Sequence, residues 1–304
     1  MTTFRIPFTA TTSMTGDARL RRPARMRSIR LGQLRVTYIP DGSVALKPHG
    51  ALPAATDRDW TAHADYLDLN GNLPAGIGGL LIESGDRALL IDAGIGPVTV
   101  PDDPDNPLIG AIGGGSLLEK LARVGRTPDQ IEAVAFTHLH VDHLGWAHHP
   151  VPGSTAPAFK NADYFVTAKE WEHRHLAEHG VTLEMLTAMV PKVRIIDEGQ
   201  EVFPGVHALV IPGHTAGHTA FVITSEGERL LAFGDALHSP LQVRHPHWAS
   251  GFDHDPDLAE RARRHVIDEL AATGDLGFGI HFADVVFGTV AREADDTTCW
   301  VPLP

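Results

Sequence analysis

Several things are scarce in this chain of 304 residues, and each scarcity closes off a kind of protein. There is one cysteine, Cys299, so no internal disulfide can form and no cysteine cluster can hold zinc or an iron–sulfur group. Any metal site must be built from histidine and carboxylate. No run of about 18 apolar residues occurs, so stable membrane insertion is not expected. No repeat at solenoid period is found. Positive charge is short as well: 25 Lys and Arg face 38 Asp and Glu, a net charge of -13. An acidic body repels a phosphate backbone, so nucleic acid is excluded as the expected partner and a small-molecule substrate is favoured. A homo-oligomer is left open.

The positive charge is also unevenly placed. Arg19, Arg21, Arg22, Arg25, Arg27, Arg30 and Arg35 crowd residues 17–35, with Asp17 the one acid among them. Residues 1–30 read as a basic, flexible arm that fold and metal binding could do without, ahead of a single domain over 31–304. Arg21-Arg22 is followed by more arginine and no apolar stretch, so an export signal is not read there and the expected location is cytoplasmic. An apolar content of 43% suits a globular chain with a sizeable core.

Histidine is what the chain has in excess, with 19 residues. The apolar pattern places many of them. Strands are predicted from Leu34 to Ile39, ending at Pro40, and at 79–82 and 88–91 as a hairpin about Ser84-Gly85-Asp86. Further strands are predicted at 131–136, 164–166, 193–196, 206–211, 221–223 and 230–233, with a last short one reaching His281. Helices are predicted after Ser116, with Glu119 at the capping-box position, around 168–178, and over 256–272. Residues 48–76 and 95–115 read as Pro/Gly-rich loops.

Four times an apolar strand stops and a metal-binding residue type follows. Thr137-His138-Leu139-His140-Val141-Asp142-His143 holds four such side chains, and Gly145 permits a close turn behind them. Pro212-Gly213-His214, Gly234-Asp235 and Gly279-Ile280-His281 supply the rest. Strands that aim ligands from their ends are a rigid way to fix a metal site, and imidazole with carboxylate suits zinc, iron or manganese.

His-x-His-x-Asp-His, then Gly-His-Thr, Gly-Asp and a late His, in that order, resembles the metallo-β-lactamase superfamily over roughly residues 34–290. Leu90-Ile91-Asp92-Ala93-Gly94 resembles a signature on the strand before the metal loop. The resemblance implies an α/β fold, a four-layer αβ/βα sandwich of two face-to-face sheets with helices outside. It implies that His138, His140 and His214 bind one divalent ion, that Asp142, His143 and His281 bind a second, and that Asp235 bridges them, zinc being the leading metal. A metal-bound hydroxide would then be the nucleophile, with Asp142 steering it or passing a proton to the leaving group. The aspartate at 235 is similar to glyoxalase II-like enzymes, lactonases and methyl parathion hydrolase-like enzymes, and unlike β-lactamases with a Cys ligand. The 235–282 segment, with Trp248 and Asp253, resembles the lactonase and organophosphate-hydrolase branch.

The function implied is hydrolysis of a lactone or other carboxylic ester. Thioester, phosphotriester or β-lactam hydrolysis, an iron-dependent persulfide dioxygenase, and a non-enzymatic scaffold are the alternatives. Asp92 is expected to orient a backbone loop. His218 and His238 are candidates for contact with the metal shell or substrate. Trp60 and Tyr66, with Leu67 and Trp248, are candidate walls of a substrate pocket, set in long loops. His148, His149, His173, His175, His179, His245 and His247 are expected on the solvated surface.

Overall fold

The computed structural model describes residues 16–174 and 180–304. Among them, nine strands form one sheet: β1 (Arg27–Leu31), β2 (Leu34–Leu46), β3 (Leu73–Ser84), β4 (Arg87–Ile91), β5 (Thr99–Val100), β6 (Ile109–Gly113), β7 (Ala133–Ala135), β8 (Asp163–Thr167) and β9 (Val193–Ile196). Seven form a second: β10 (Glu201–Phe203), β11 (Val206–Val210), β12 (Thr219–Ser225), β13 (Glu228–Ala232), β14 (Leu276–Phe278), β15 (Phe287–Arg292) and β16 (Thr298–Pro302). The helices are α1 (Pro48–Ala51), α2 (Asp57–Ala62), α3 (Leu117–Arg123), α4 (Val141–His148), α5 (Ala168–Glu172), α6 (Leu183–Met189), α7 (Leu241–Arg244) and α8 (Pro256–Thr273).

The apolar runs that looked continuous in sequence are strands buried on both faces. Leu80 and Ile82 of β3, with Leu89 and Ile91 of β4, meet Phe221, Ile223, Leu230 and Phe278 of the second sheet. Their alternates, Leu81, Ala88 and Leu90, face Leu117 and Leu121 of α3 and Leu144 of α4. The second sheet's outer face is covered by α8, whose buried residues Ala259, Arg263, Val266, Ile267 and Leu270 recur at helical spacing. The Asp255 carboxylate caps the start of α8 by accepting from Leu258 N–H at 3.0 Å, and Gly274 ends it at φ 72°. The result is helix, sheet, sheet, helix, the expected four-layer sandwich.

The order β4-β7-β8-β9 is parallel, as is β13 beside β14. The two antiparallel steps from β13 to β12 and from β12 to β11 turn β11 the same way as β13. The C-terminal ends of β4, β7, β11, β13 and β14 therefore carry, in turn, Asp92, His138, His214, Asp235 and His281.

Several expectations are corrected. Residues 48–76 are not an open loop; they fold into α1, α2 and a 3₁₀ turn at Ala64–Tyr66 before β3 begins at Leu73. Helices of four and six residues carry too little periodicity to be seen in sequence, although Thr56 and Asp59 form a capping box. β2 does not stop at Pro40. It runs on to Leu46, with a register shift between Pro40 and Gly42 that accommodates the missing N–H. The strand near His281 is not the last, since β15 and β16 follow. The flexible-arm reading of 1–30 also fails where the structure describes it. Residues 18–21 form a 3₁₀ turn with Leu20 buried, and β1 pairs with β2 through five residues. Residues 1–15 lie outside the described residues, as do His175 and His179.

Candidate metal centre

The metal loop starts where β7 ends. Asp92, at φ 60° after β4, accepts from the Thr137 backbone N–H and hydroxyl, both at 2.9 Å. Its Oδ2 also lies 2.9 Å from His143 Nδ1. Asp92 thus fixes both the loop, as expected, and one imidazole. His140 caps α4, and the first turns of α4 deliver Asp142 and His143. Gly145 lets that helix sit against the 93–96 turn: a Cβ there would lie 2.0 Å from the Ile95 carbonyl carbon.

Two groups of donor atoms result. His138, His140, His214 and Asp235 offer atoms within 4.8 Å of one another, and so do Asp142, His143 and His281. Asp235 touches both groups. Its carboxylate oxygens lie 3.4 Å from His214 Nε2, 3.4 Å from His143 Nε2 and 3.2 Å from His281 Nε2.

The chemistry of these donors calls for cations. His143 Nδ1 faces Asp92, His281 Nδ1 lies 2.7 Å from the Gly76 carbonyl, and His214 Nδ1 lies 3.1 Å from Asp253 Oδ1. Each Nδ1 is engaged outward, which turns each Nε2 inward, toward the Asp235 carboxylate. His138 Nε2, His143 Nε2 and Asp235 Oδ1 are buried with no hydrogen-bond partner among the described residues. Unpaired polar atoms in a dry site are costly, and divalent metal ions would satisfy these. These residues fit divalent ions, zinc foremost.

Protonation states divide the site. Burial and neighbouring imidazoles push His138 and His214 well below the ordinary histidine range. For His143 burial acts the same way, but Asp235, Asp142 and Asp92 outweigh it and raise the ring. His281 is raised by Asp235 against burial. Burial tends to raise Asp235, yet His281 and His143 hold it well below the carboxylate range.

His218 is buried and takes no place in either donor group. Its Nε2 accepts the Asp235 backbone N–H at 3.0 Å, and burial lowers its pKa to about 4. A neutral ring thus fixes the backbone of the shared carboxylate. His238 is buried with Nε2 3.3 Å from Asp235 Oδ2, stacked on His281 and on Phe252.

A cavity of about 510 Å³ opens over the two groups. His140, Asp142, His214, Asp235, His238 and His281 form its polar floor. Val44, Leu46, Ile95, Val98, Ile109, Ile112, Met185 and Phe252 are among its apolar walls, and none of the described residues lining it is lysine or arginine. The expected walls are corrected here. Trp60 and Trp248 pack on each other, rings 6.1 Å apart, in the core beneath Val44 and Leu46, and neither lines the cavity. Leu67 packs beside them. Tyr66 lines a separate small void behind His238 and His281. Of the histidines expected on the surface, His247 is exposed, while His148, His149, His173 and His245 are half-buried.

Sequence reading missed four buried supports. Glu170 accepts from Leu139 N–H, Thr215 hydroxyl and Gly217 N–H, joining the two histidine loops. Asp41 accepts from four backbone N–H groups and Trp146 Nε1. Arg263 sits 3.5 Å from Asp253 behind His214, and Gln242 accepts the His238 backbone N–H at 2.7 Å. Of the four, Gln242 alone stands between apolar sequence neighbours, Leu241 and Val243; the others sit among polar or turn residues and leave no such signal.

The family model described as the metallo-beta-lactamase superfamily matches residues 80–273. An N-acyl homoserine lactonase of Bacillus cereus is 29% identical over 161 residues, and the match spans 59% of that enzyme's length, less than two thirds. One from Bacillus thuringiensis is 30% identical over 193 residues, which is 59% of this chain and 70% of that enzyme. Among solved structures, AidC, a dizinc quorum-quenching lactonase in complex with the product N-hexanoyl-L-homoserine, aligns at a TM-score of 0.78 with 23% identity, covering 92% of this chain and 97% of that one. The hydrolase AbOPH aligns at 0.77 with 22% identity, covering 92% and 98%. At those identities the structural likeness shows the fold. The chain belongs to the metallo-beta-lactamase superfamily.

Proposed function

We propose that this chain opens neutral acyl lactones, of the N-acyl homoserine lactone kind, with two divalent ions, most simply zinc. The observation that carries the reading is seven donors meeting beneath a largely apolar cavity with no lysine or arginine among its described lining residues. His138, His140 and His214 would hold one ion, Asp142, His143 and His281 the other, with Asp235 shared. Such ions, when bound, make water acidic enough to supply a nucleophile near neutral pH and polarise a carbonyl oxygen.

The chain's own residues do the rest. Asp142 lines the cavity floor with its Oδ2 3.7 Å from His281 Nε2, placed to accept a proton and pass it to the leaving alkoxide. The His238 ring, held flat between His281 and Phe252, can donate to a substrate oxygen. The aliphatic walls take the acyl chain and exclude water from it.

The test is a comparison of kcat/KM for an acyl lactone, a neutral aryl ester, S-lactoylglutathione and a bis-aryl phosphodiester at matched metal loading. The lactone or ester should lead. An advantage of more than about tenfold for either anionic substrate, roughly 1.4 kcal/mol in transition-state binding, would sink the lactone and ester reading. Iron content with oxygen consumption would point instead to the dioxygenase.

A further inference from the structure

The arginine-rich segment has no part in the site so far, yet it ends against the back of it. Four residues separate His281 from Val286, and they make a tight turn. Ala283 N–H donates to the His281 carbonyl at 2.8 Å, and Val285 N–H to that of Phe282 at 3.0 Å. Ala283 sits at φ 44°, in the left-handed region that favours glycine. A non-glycine residue holds such a conformation only when its surroundings enforce it.

The surroundings here are the N-terminal strap. Asp284 is fully buried, and its two oxygens are taken by three strap residues. Arg22 reaches Oδ2 at 2.7 Å; Arg25 backbone N–H and Arg27 Nε reach Oδ1 at 3.0 and 3.3 Å. The Asp284 N–H donates to the Arg19 carbonyl at 3.1 Å. The strap is pinned in turn at both edges. Arg19 donates to the Leu303 carbonyl, Arg21 to that of Leu67, and Arg27 to that of Pro304. Leu20, buried, packs in the same cluster as Phe282 and lines the small void behind His281 and His238.

We propose that residues 16–31 are a positioning strap for the second metal site, acting through Asp284 on the turn that carries His281. The proposal rests on the two-ion reading, because it takes His281 to be a ligand. Asp284 and the arginines touch neither ion nor substrate. Their work is to keep the His281 ring, already hydrogen-bonded to the Gly76 carbonyl, from swinging away with a turn that strain would otherwise relax. A ligand held rigidly before the metal arrives loses less freedom on binding it, so its site is tighter. The turn clamped by the strap carries His281 and none of His138, His140 and His214, which follow β7 and β11.

The consequence is selective. Neutralising the clamp should loosen one ion and spare the other. The full-length protein carrying Arg22→Gln with Arg27→Gln leaves Asp284 and its backbone partners in place, so the chain has every means to fold; thermal unfolding of the zinc-loaded form checks that. The readout is zinc released to a chromogenic chelator over time, with total zinc by elemental analysis. Wild type should hold two ions. The double variant should release one of them at least tenfold faster and the other at the wild-type rate. In a His281→Ala background the same clamp changes should accelerate release no further, since they act only through that ligand. Arg22→Lys with Arg27→Lys should fall between.

Release at wild-type rates would overturn the strap, as would both ions leaving faster by the same factor, the mark of general loosening. Additive effects of the clamp and His281→Ala would do the same. A wild-type count of one ion overturns the two-ion reading first and this inference with it, and the count distinguishes that failure from the others.

Discussion

Asp235 belongs to the first donor group and lies within 3.4 Å of His143 and His281 of the second, and its environment is arranged around that. His218 fixes its backbone, and His143, His214, His238 and His281 surround its carboxylate. Asp235→Ala should therefore empty both sites, whereas His218→Ala, which removes only a backbone anchor, should keep most of the metal. Equal zinc content in the two variants would contradict the assignment. His218 also makes a pH prediction. Its pKa in the folded protein is about 4, against about 6.5 in an unfolded chain. Between those values the unfolded chain binds a proton that the folded one refuses, so stability is lost as pH falls through the window. The loss is about 1.4 kcal/mol per pH unit for one such group. Urea unfolding of the metal-free protein at pH 6.5, 5.5 and 4.5 should show a slope that is shallower by about that amount in His218→Gln. An unchanged slope would mean that His218 is protonated in the folded state.

At the scale of elements, legibility followed length and period. The hairpin of β3 and β4 was readable because its apolar residues flank a Gly-Asp turn, and α8 because 18 residues of helical spacing lie between Asp255 and Gly274. Ser116 was readable as the start of α3, but not the capping: the Leu117 N–H goes to Asp41, 76 residues away, and Glu119 pairs with Arg123 instead. Long-range partners of that kind leave no local pattern. The same holds for α1, α2 and β1, which are short and owe their form to what they pack on. The ligand loops were legible because histidine and aspartate at strand ends are rare and ordered; the cavity walls were not, because Val44, Ile109 and Ile112 look like any strand residues. One close contact can be tested at this scale. A methyl group on Gly145 would collide with the Ile95 backbone and push α4 off the 93–96 turn. Gly145→Ala should cost roughly 1–3 kcal/mol of stability by overpacking, read as a lowered urea midpoint, and should weaken zinc binding because α4 carries Asp142 and His143. A midpoint at or above the wild-type value would show that the contact has room to give.

Across the whole molecule, the division of labour is between two sheets that each deliver part of one centre. The first supplies His138, His140, Asp142 and His143 after β7; the second supplies His214, Asp235 and His281 after β11, β13 and β14. Neither half can hold the full set, so metal should staple the sandwich together and raise its unfolding temperature. The net acidic chain and a cavity with no lysine or arginine among its described lining residues give anionic substrates no side-chain cation beyond the metal centre, which favours neutral acyl compounds. The central claim is that two ions in this centre drive hydrolysis of an acyl lactone. Its most direct test is a titration of the metal-free protein with zinc while lactone opening is followed. Activity should rise until two equivalents are bound and be flat beyond them. Saturation at one equivalent, or no lactone opening with two ions bound, would contradict it.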